Sequence, residues 1–222
     1  MAKQLQDEGV AVGRAKARRW MKQAGVEVKR RLRRRPQTTD SRHGYGVAPN
    51  LLDRRFDVDR PNAAWCGDIT SLWTDEGWLY LSVLLDLYSR KVVGWAMSDR
   101  IDTALVAKAL KMAVGRRNPA QGLMHHSDRG SQYAAQVYRG LLSDYGIECS
   151  MRRKGDCLDN AVAERFFGSL KRAWTANRCY ATRQDARDDV IDYLERFYNS
   201  RRKHSYLGYV SPNEYEKIAQ AA

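Results

Sequence analysis

The chain lacks any run of eighteen apolar residues, so no segment reads as a membrane-spanning helix. Its opening, Met1-Ala2-Lys3-Gln4, has none of the apolar stretch of a secretion signal. Four cysteines, Cys66, Cys149, Cys157 and Cys179, show no Cys-x-x-Cys spacing and no disulfide framework. Cys149 and Cys157 are too loosely arranged to make a zinc finger with His125 and His126, so free thiols in a reducing cytosol are expected. Acidic residues are scarce, 26 Asp and Glu against 39 Lys and Arg.

What is present is enough for a fold. At 222 residues with 43% hydrophobic content, the chain suits one catalytic-sized domain with a small appendage. The positive charge is uneven. Residues 1–60 carry 16 basic against 7 acidic residues, a balance of +9, and the rest of the chain carries 23 against 19, a balance of +4. Such a basic end suits a phosphate-rich partner; a solvated tail is the plainer alternative.

Three regions follow. Residues 1–28 predict two short helices, over 3–8 and 14–24. The second offers Ala15, Ala17, Trp20, Met21 and Ala24 as an apolar side, ringed by bases that include Arg18 and Arg19. They suggest part of a helix-turn-helix lying on DNA. Residues 29–60 read as a mobile basic linker whose Arg33, Arg34 and Arg35 would touch phosphates without reading sequence.

Residues 61–222 read as β-β-β-α-β-α-β-α-α. The strands are expected over 63–71, 78–87, 91–98, 122–127 and 147–151, and the first helices over 102–117 and 132–145. A long helix follows, running towards Trp174, and a last one opens on a Thr182/Asp185 capping box and ends near Asn199. Three antiparallel strands and then helix-connected parallel ones make an α/β fold, a mixed five-stranded sheet flanked by helices.

Three acids stand in unusual surroundings: Asp68 in Trp65-Cys66-Gly67-Asp68-Ile69-Thr70, Asp128 in His125-His126-Ser127-Asp128-Arg129-Gly130-Ser131-Gln132, and Glu164 in Asp159-Asn160-Ala161-Val162-Ala163-Glu164-Arg165-Phe166-Phe167. Thirty-five residues separate the last two. The pattern puts Asp68 and Asp128 near strand ends and Glu164 on a helix. There Val162, Phe166, Leu170 and Ala173 form a buried stripe, and Asn160, Glu164, Phe167 and Lys171 another face. Carboxylates so placed hold hard divalent cations, and spacing alone supports metal-dependent phosphodiester chemistry. Singly, each acid has a bland reading as a turn cap or a solvated side chain. Asp86 is a decoy whose setting, Leu85-Asp86-Leu87-Tyr88-Ser89-Arg90, reads as turn formation.

These three settings, closed by the run Asn199-Ser200-Arg201-Arg202-Lys203-His204-Ser205-Tyr206-Leu207-Gly208-Tyr209 and by Ser211-Pro212, resemble the integrase-core transposases of bacterial insertion sequences, of the type encoded by a downstream reading frame. The resemblance runs from about residue 60 to the C-terminus. It implies a ribonuclease-H-like fold and a DNA transposase performing 3′-end cleavage and strand transfer. Asp68, Asp128 and Glu164 would be the catalytic residues and the ligands of two Mg²⁺ ions, with Mn²⁺ as a substitute. Asp68 would bridge the two ions.

Lys154, Lys171 and Arg172 would hold phosphates, Arg129 would meet the substrate strand, and Asn160 would touch DNA or orient Glu164. His126 would help positioning, and His204 and Tyr209 would pack the final loop. The resemblance also implies a cytoplasmic, nucleoid-associated bacterial protein that self-associates on DNA ends, with an upstream-frame partner protein. Against the family's pattern, the helix-turn-helix lacks its usual opening. Rival readings are a hydrolytic nuclease of the same fold and a DNA-binding remnant acting as a regulator.

Overall fold

The computed structural model describes residues 1–26, 44–153, 157–176 and 178–221. Alternation in the strands decides the layers. In β2 (Gly77–Asp86), Leu79, Leu81, Val83 and Leu85 face one side and Leu84 the other, so the strand is buried on both faces. β1 (Ala64–Thr74) and β3 (Val92–Ser98) pair antiparallel with β2, while β4 (Met124–Ser127) and β5 (Glu148–Met151) add in parallel, giving the order β3-β2-β1-β4-β5. This is the expected mixed sheet.

One face is covered by α3 (Thr103–Arg117), α4 (Ser131–Ala134) and α5 (Gln136–Asp144), packed on Trp65, Leu84 and Val93. The Asp102 side chain caps α3 by accepting from the Leu105 N–H at 2.8 Å, and Leu105, Val106, Ala109, Leu110 and Ala113 are buried at helical spacing. The other face is covered by α6 (Ala161–Ser169) and α7 (Arg183–Ile191), with Phe166, Leu170, Val190 and Tyr193 in its core. The Thr182/Asp185 capping box forms as expected.

Several expectations shift. The helix expected over 132–145 breaks at Ala135, whose φ of −56° and ψ of 135° are extended. Five residues apart on one helix, Tyr133 and Tyr138 would diverge. The break brings both rings against His125, at centroid distances of 6.0 and 5.7 Å. Beyond α6, residues Leu170–Trp174 wind as a π-helix. The wider turn carries Trp174 inward, where its ring meets Tyr193 and Phe197, and leaves Ala173 exposed. The buried stripe of α6 is therefore Ala163, Phe166, Phe167 and Leu170, with Val162 only half-buried.

α8 (Pro212–Ala221) has no counterpart in the expected elements. Its inward group is charged, Glu216, so apolar periodicity could not reveal it. His204 packs its ring on Tyr198 at 5.0 Å, but Tyr209 is exposed, with a left-handed φ of 68°.

At the N-terminus, α1 (Ala2–Asp7) and α2 (Arg14–Gln23) form where expected. Of the apolar side foreseen for α2, Ala17 alone is buried, and Trp20 stays exposed. The expected mobile linker is not loose over residues 44–60. Ala48 and Leu52 are buried, Phe56 and Val58 pack on the core, and the Met151 N–H donates to the Pro49 carbonyl. Arg33, Arg34 and Arg35 lie outside the described residues. No helix among the described residues is long and apolar enough to cross a membrane.

Candidate active site

Strand register brings the first two acids together. β1 and β4 pair in parallel with Trp65 opposite His125 and Cys66 opposite His126. Two residues on from that last pair come Asp68, still within β1, and Asp128, just past the end of β4, near enough for the charge of Asp128 to act on Asp68. Asp68 is not at the end of its strand, as expected, but in the middle of it. β1 continues to Thr74 because residues 69–74 zip onto β2 down to a tight turn, where the Thr74 hydroxyl donates to the Gly77 carbonyl. Asp128 directly follows β4, and its Oδ1 accepts from the Gly130 N–H at 2.9 Å.

Asp68 lies on the face covered by α6. Cys66 shares it with Asp68, and its thiol donates to Asn160 Oδ1 at 2.6 Å, at the N-cap of α6. Glu164 lies one helical turn on and is exposed. Burial, then the charge of Asp128 and, more weakly, that of Glu164 push the Asp68 carboxyl up to about 8, against the pull of the Ile69 N–H and of Arg152. Like charges thus converge on one half-buried oxygen pair, the condition a bound cation relieves. Among the described residues, no three His, Cys, Asp or Glu side chains already stand close enough to hold one metal ion. The hard oxygen donors fit Mg²⁺ or Mn²⁺, with Glu164 the exposed member of the three.

Behind the pair, on the opposite face of the sheet, the backbone is packed tightly. A Cβ at Gly67 would stand 2.8 Å from His125 Nε2. The Tyr138 hydroxyl meets the same nitrogen at 3.2 Å. Burial drives the Tyr133 and Tyr138 phenols well above their ordinary range, and the charges of Asp68 and Asp128 add to the effect on Tyr133. His126 is also buried, which lowers it to about 4. The Ser150 hydroxyl accepts from the Leu51 and Leu52 N–H groups and so gives its own proton to His126 Nδ1, at 2.9 Å. His126 therefore works in the scaffold under Asp128.

Of the remaining residues expected at the site, Arg129 is half-buried and its Nε donates to the Arg152 carbonyl at 2.6 Å. Lys171 is half-buried and Arg172 exposed, both on the π-wound stretch after α6. Asn160 is 1% exposed, so it faces the protein rather than a groove. Arg18 and Arg19 are exposed on α2. Lys154 lies outside the described residues. Sequence reasoning missed Arg152, whose charge reaches Asp68, and Asp159, whose fully buried carboxylate anchors the start of α6. Asp159 sits inside a motif already singled out and Arg152 does not, and only the fold shows where they point.

A five-stranded mixed sheet with an acid pair on its central parallel strands and a third acid on a flanking helix defines a polynucleotidyl-transferase type of core. Two "Integrase core domain" family models match, over residues 58–157 and 145–212. The "Insertion element IS600 uncharacterized 31 kDa protein" of Shigella sonnei is 42% identical over 220 residues, which cover 99% of this chain and 80% of that protein. The transposase for insertion sequence element IS904 of Lactococcus lactis is 43% identical over 169 residues, 76% of this chain and 67% of its own. Transposase InsF for insertion sequence IS3A of Escherichia coli K12 is 44% identical over 174 residues, 78% of this chain, which spans 60% of InsF's length.

Among solved structures, the HTLV-2 integrase catalytic core in complex with magnesium aligns with a TM-score of 0.54 at 16% identity, covering 69% of this chain and 95% of that one. The BIV integrase catalytic core aligns at 0.51 and 18%, covering 72% and 97%. Those two establish the fold, ribonuclease-H-like. The chain belongs to the integrase-core transposases of insertion sequences, enzymes of DNA transposition.

Proposed function

We propose that the chain cuts the 3′ ends of an insertion sequence and joins them to target DNA with two divalent ions held by Asp68, Asp128 and Glu164. The observation that carries the reading is the convergence of two carboxylate charges, those of Asp128 and Glu164, on a third, Asp68, with the pairing of β1 and β4 bringing Asp68 and Asp128 together. When bound, paired Mg²⁺ or Mn²⁺ would lower the pKa of the attacking oxygen and neutralise charge gathering at phosphorus.

The residues of the chain divide the remaining work. Asp68, which feels the charges of both other acids, would be a ligand of the ions together with Asp128 and Glu164, and Asp128 is held in place by the Gly130 N–H. Arg129, braced on the Arg152 carbonyl, lies beside the substrate strand. Lys171, Arg172 and Lys154 hold phosphates near the cut, and Arg18, Arg19 and Arg33 to Arg35 hold DNA further out. No protein nucleophile is required. The buried Tyr133 and Tyr138 are poor ones, since burial disfavours their phenolates. The active form is a multimer bridging two DNA ends in the bacterial cytoplasm at the nucleoid, with an upstream-frame protein as a further partner.

The test is cleavage of a labelled element end with Mg²⁺ or Mn²⁺. The intact chain is expected to release a 3′-hydroxyl end and then join it to target DNA. Undiminished turnover by Asp68→Asn, Asp128→Asn or Glu164→Gln would refute the assignment.

A further inference from the structure

Glu164 is the one acid of the three that does not come from the sheet, so something must fix its height over Asp68. Two adjacent side chains at the start of its helix are tied down in opposite directions. Asn160 is tied forwards to β1, through the Cys66 thiol. Asp159, 0% exposed, is tied backwards. Its Oδ2 accepts from Asn50 Nδ2 at 2.9 Å and from the Arg153 N–H at 3.0 Å, and its Oδ1 from Arg54 Nε at 3.2 Å and Arg153 Nη2 at 3.1 Å. Burial alone would raise this carboxyl, but the hydrogen bonds from Arg153 and Arg54 outweigh it and hold it at about 2.

Asn50 and Arg54 belong to a strap, residues 49–54, that lies against the end of β5. The strap is pinned there by the Met151 N–H on the Pro49 carbonyl and by the Leu51 and Leu52 N–H groups on Ser150 Oγ, the same hydroxyl that holds His126. It carries two consecutive non-glycine residues in the left-handed region, Asp53 at φ 43° and Arg54 at φ 60°. Such a conformation persists only where the surroundings over-determine it, and the Asn50 side chain bonding the Asp53 N–H at 3.0 Å is part of that.

We infer that Asp159 and Asn160 are positioning residues that set Glu164 over Asp68, and that the strap at residues 49–54 is half of the device. The spacings agree. From Asn160 to Glu164 is four residues of helix, about 6 Å of rise. From Cys66 to Asp68 is two residues of strand, about 6.6 Å. A link between Cys66 and Asn160 therefore keeps Glu164, a similar distance on, near enough to Asp68 for its charge to be felt. The strap supplies the opposing hold, and in the chain it lies within the last part of the basic residues 1–60.

The inference rests on the acidic trio being the active site, and its test separates the two. The full chain is compared with the double variant Asn50→Ala/Arg54→Gln, with Arg54→Lys, with Asp159→Asn and with Asp68→Asn. Cleavage kinetics, Mn²⁺ titration by calorimetry and thermal unfolding are measured for each. A misplacement near 1 Å costs about a hundredfold in rate. The double variant is therefore expected to stay folded, to lose about that much in kcat with KM for DNA nearly unchanged, and to bind Mn²⁺ about tenfold more weakly.

Arg54→Lys, which keeps a cation facing Asp159, is expected to recover most of both losses. Asp159→Asn should behave like the double variant; if it fails to fold, the double variant decides. A folded double variant with ordinary kcat and Mn²⁺ affinity overturns the positioning role while Asp68→Asn stays dead. An active Asp68→Asn overturns the active-site reading itself.

Discussion

Among the described residues, the carboxylates around Glu216 and those around Asp68 are arranged on opposite principles. Around Glu216, every oxygen meets a protein donor. Oε1 accepts from Ser89 Oγ at 2.8 Å and Arg117 Nη2 at 2.9 Å, and Oε2 from Lys91 Nζ and Arg117 Nη1, both at 2.9 Å. Burial would raise this acid, but those partners bring it below its ordinary value. Asp86 next to it is fully buried and accepts from the Asn62 and Tyr88 N–H groups. Arg117 reaches Asp86 with one nitrogen at 3.2 Å while giving its better hydrogen bonds to Glu216, so burial keeps Asp86 raised.

Around Asp68 the strongest neighbouring charge is another carboxylate, and the opposing pull of Arg152 is weaker than that of Asp128. Carboxylates supplied with guanidinium and ammonium groups staple elements together, here α8 and α3 to the β2–β3 turn. Carboxylates pressed against one another call for a cation from outside.

The largest expected effect that separates the groups is on chemistry. Asp68→Asn, Asp128→Asn or Glu164→Gln should cut DNA cleavage by about a thousandfold or more while leaving the fold intact, whereas Asp86→Asn should spare cleavage in a gel assay. Next is stability. Glu216→Ala leaves the half-buried Arg117 and Lys91 without their shared acceptor and should cost about 2 kcal/mol by urea denaturation, with cleavage by the folded fraction retained.

The pH dependence should differ in sign. The raised pKa of Asp68 means the metal-free folded state holds a proton that the unfolded state has lost between about 4 and 8. Asp68 therefore makes stability fall as pH rises through that window, and Asp68→Asn should flatten the slope. Glu216, with its lowered pKa, contributes stability above its ordinary 4.5 and loses it as pH falls through the lower folded value. The smallest expected effect lies far from both groups. Thr182→Ala removes the α7 capping box and should cost about 1 kcal/mol with no change in cleavage.

Much of this was legible in the sequence because local rules governed it. Strand periodicity located all five strands, and the cap residues Asp102 and Thr182 located two helix starts. The setting of each acid pointed to the trio before any geometry was known. The losses came where tertiary contacts overrode local pattern. The π-wound turns after α6 shift the inward face from Ala173 to Trp174, and no heptad-like count anticipates an extra residue per turn. α8 is held through a charged residue and leaves no apolar trace. The strap at residues 49–54 reads as polar linker because its hold is hydrogen bonding to Ser150 and Asp159, a hundred or so residues later in the chain. The terminal run that helped mark the family also has a structural part. Asn199 imitates a strand neighbour, its amide accepting from the Val92 N–H and donating to the Val92 carbonyl, both at 2.9 Å.

Anomalous scattering from crystals soaked in Mn²⁺ separates the two carboxylate groups most directly. Peaks are expected beside Asp68, Asp128 and Glu164, with none at Asp86 and Glu216. A bare acidic trio at saturating Mn²⁺, or metal seated instead among Asp86, Glu216 and Arg117, would contradict the account.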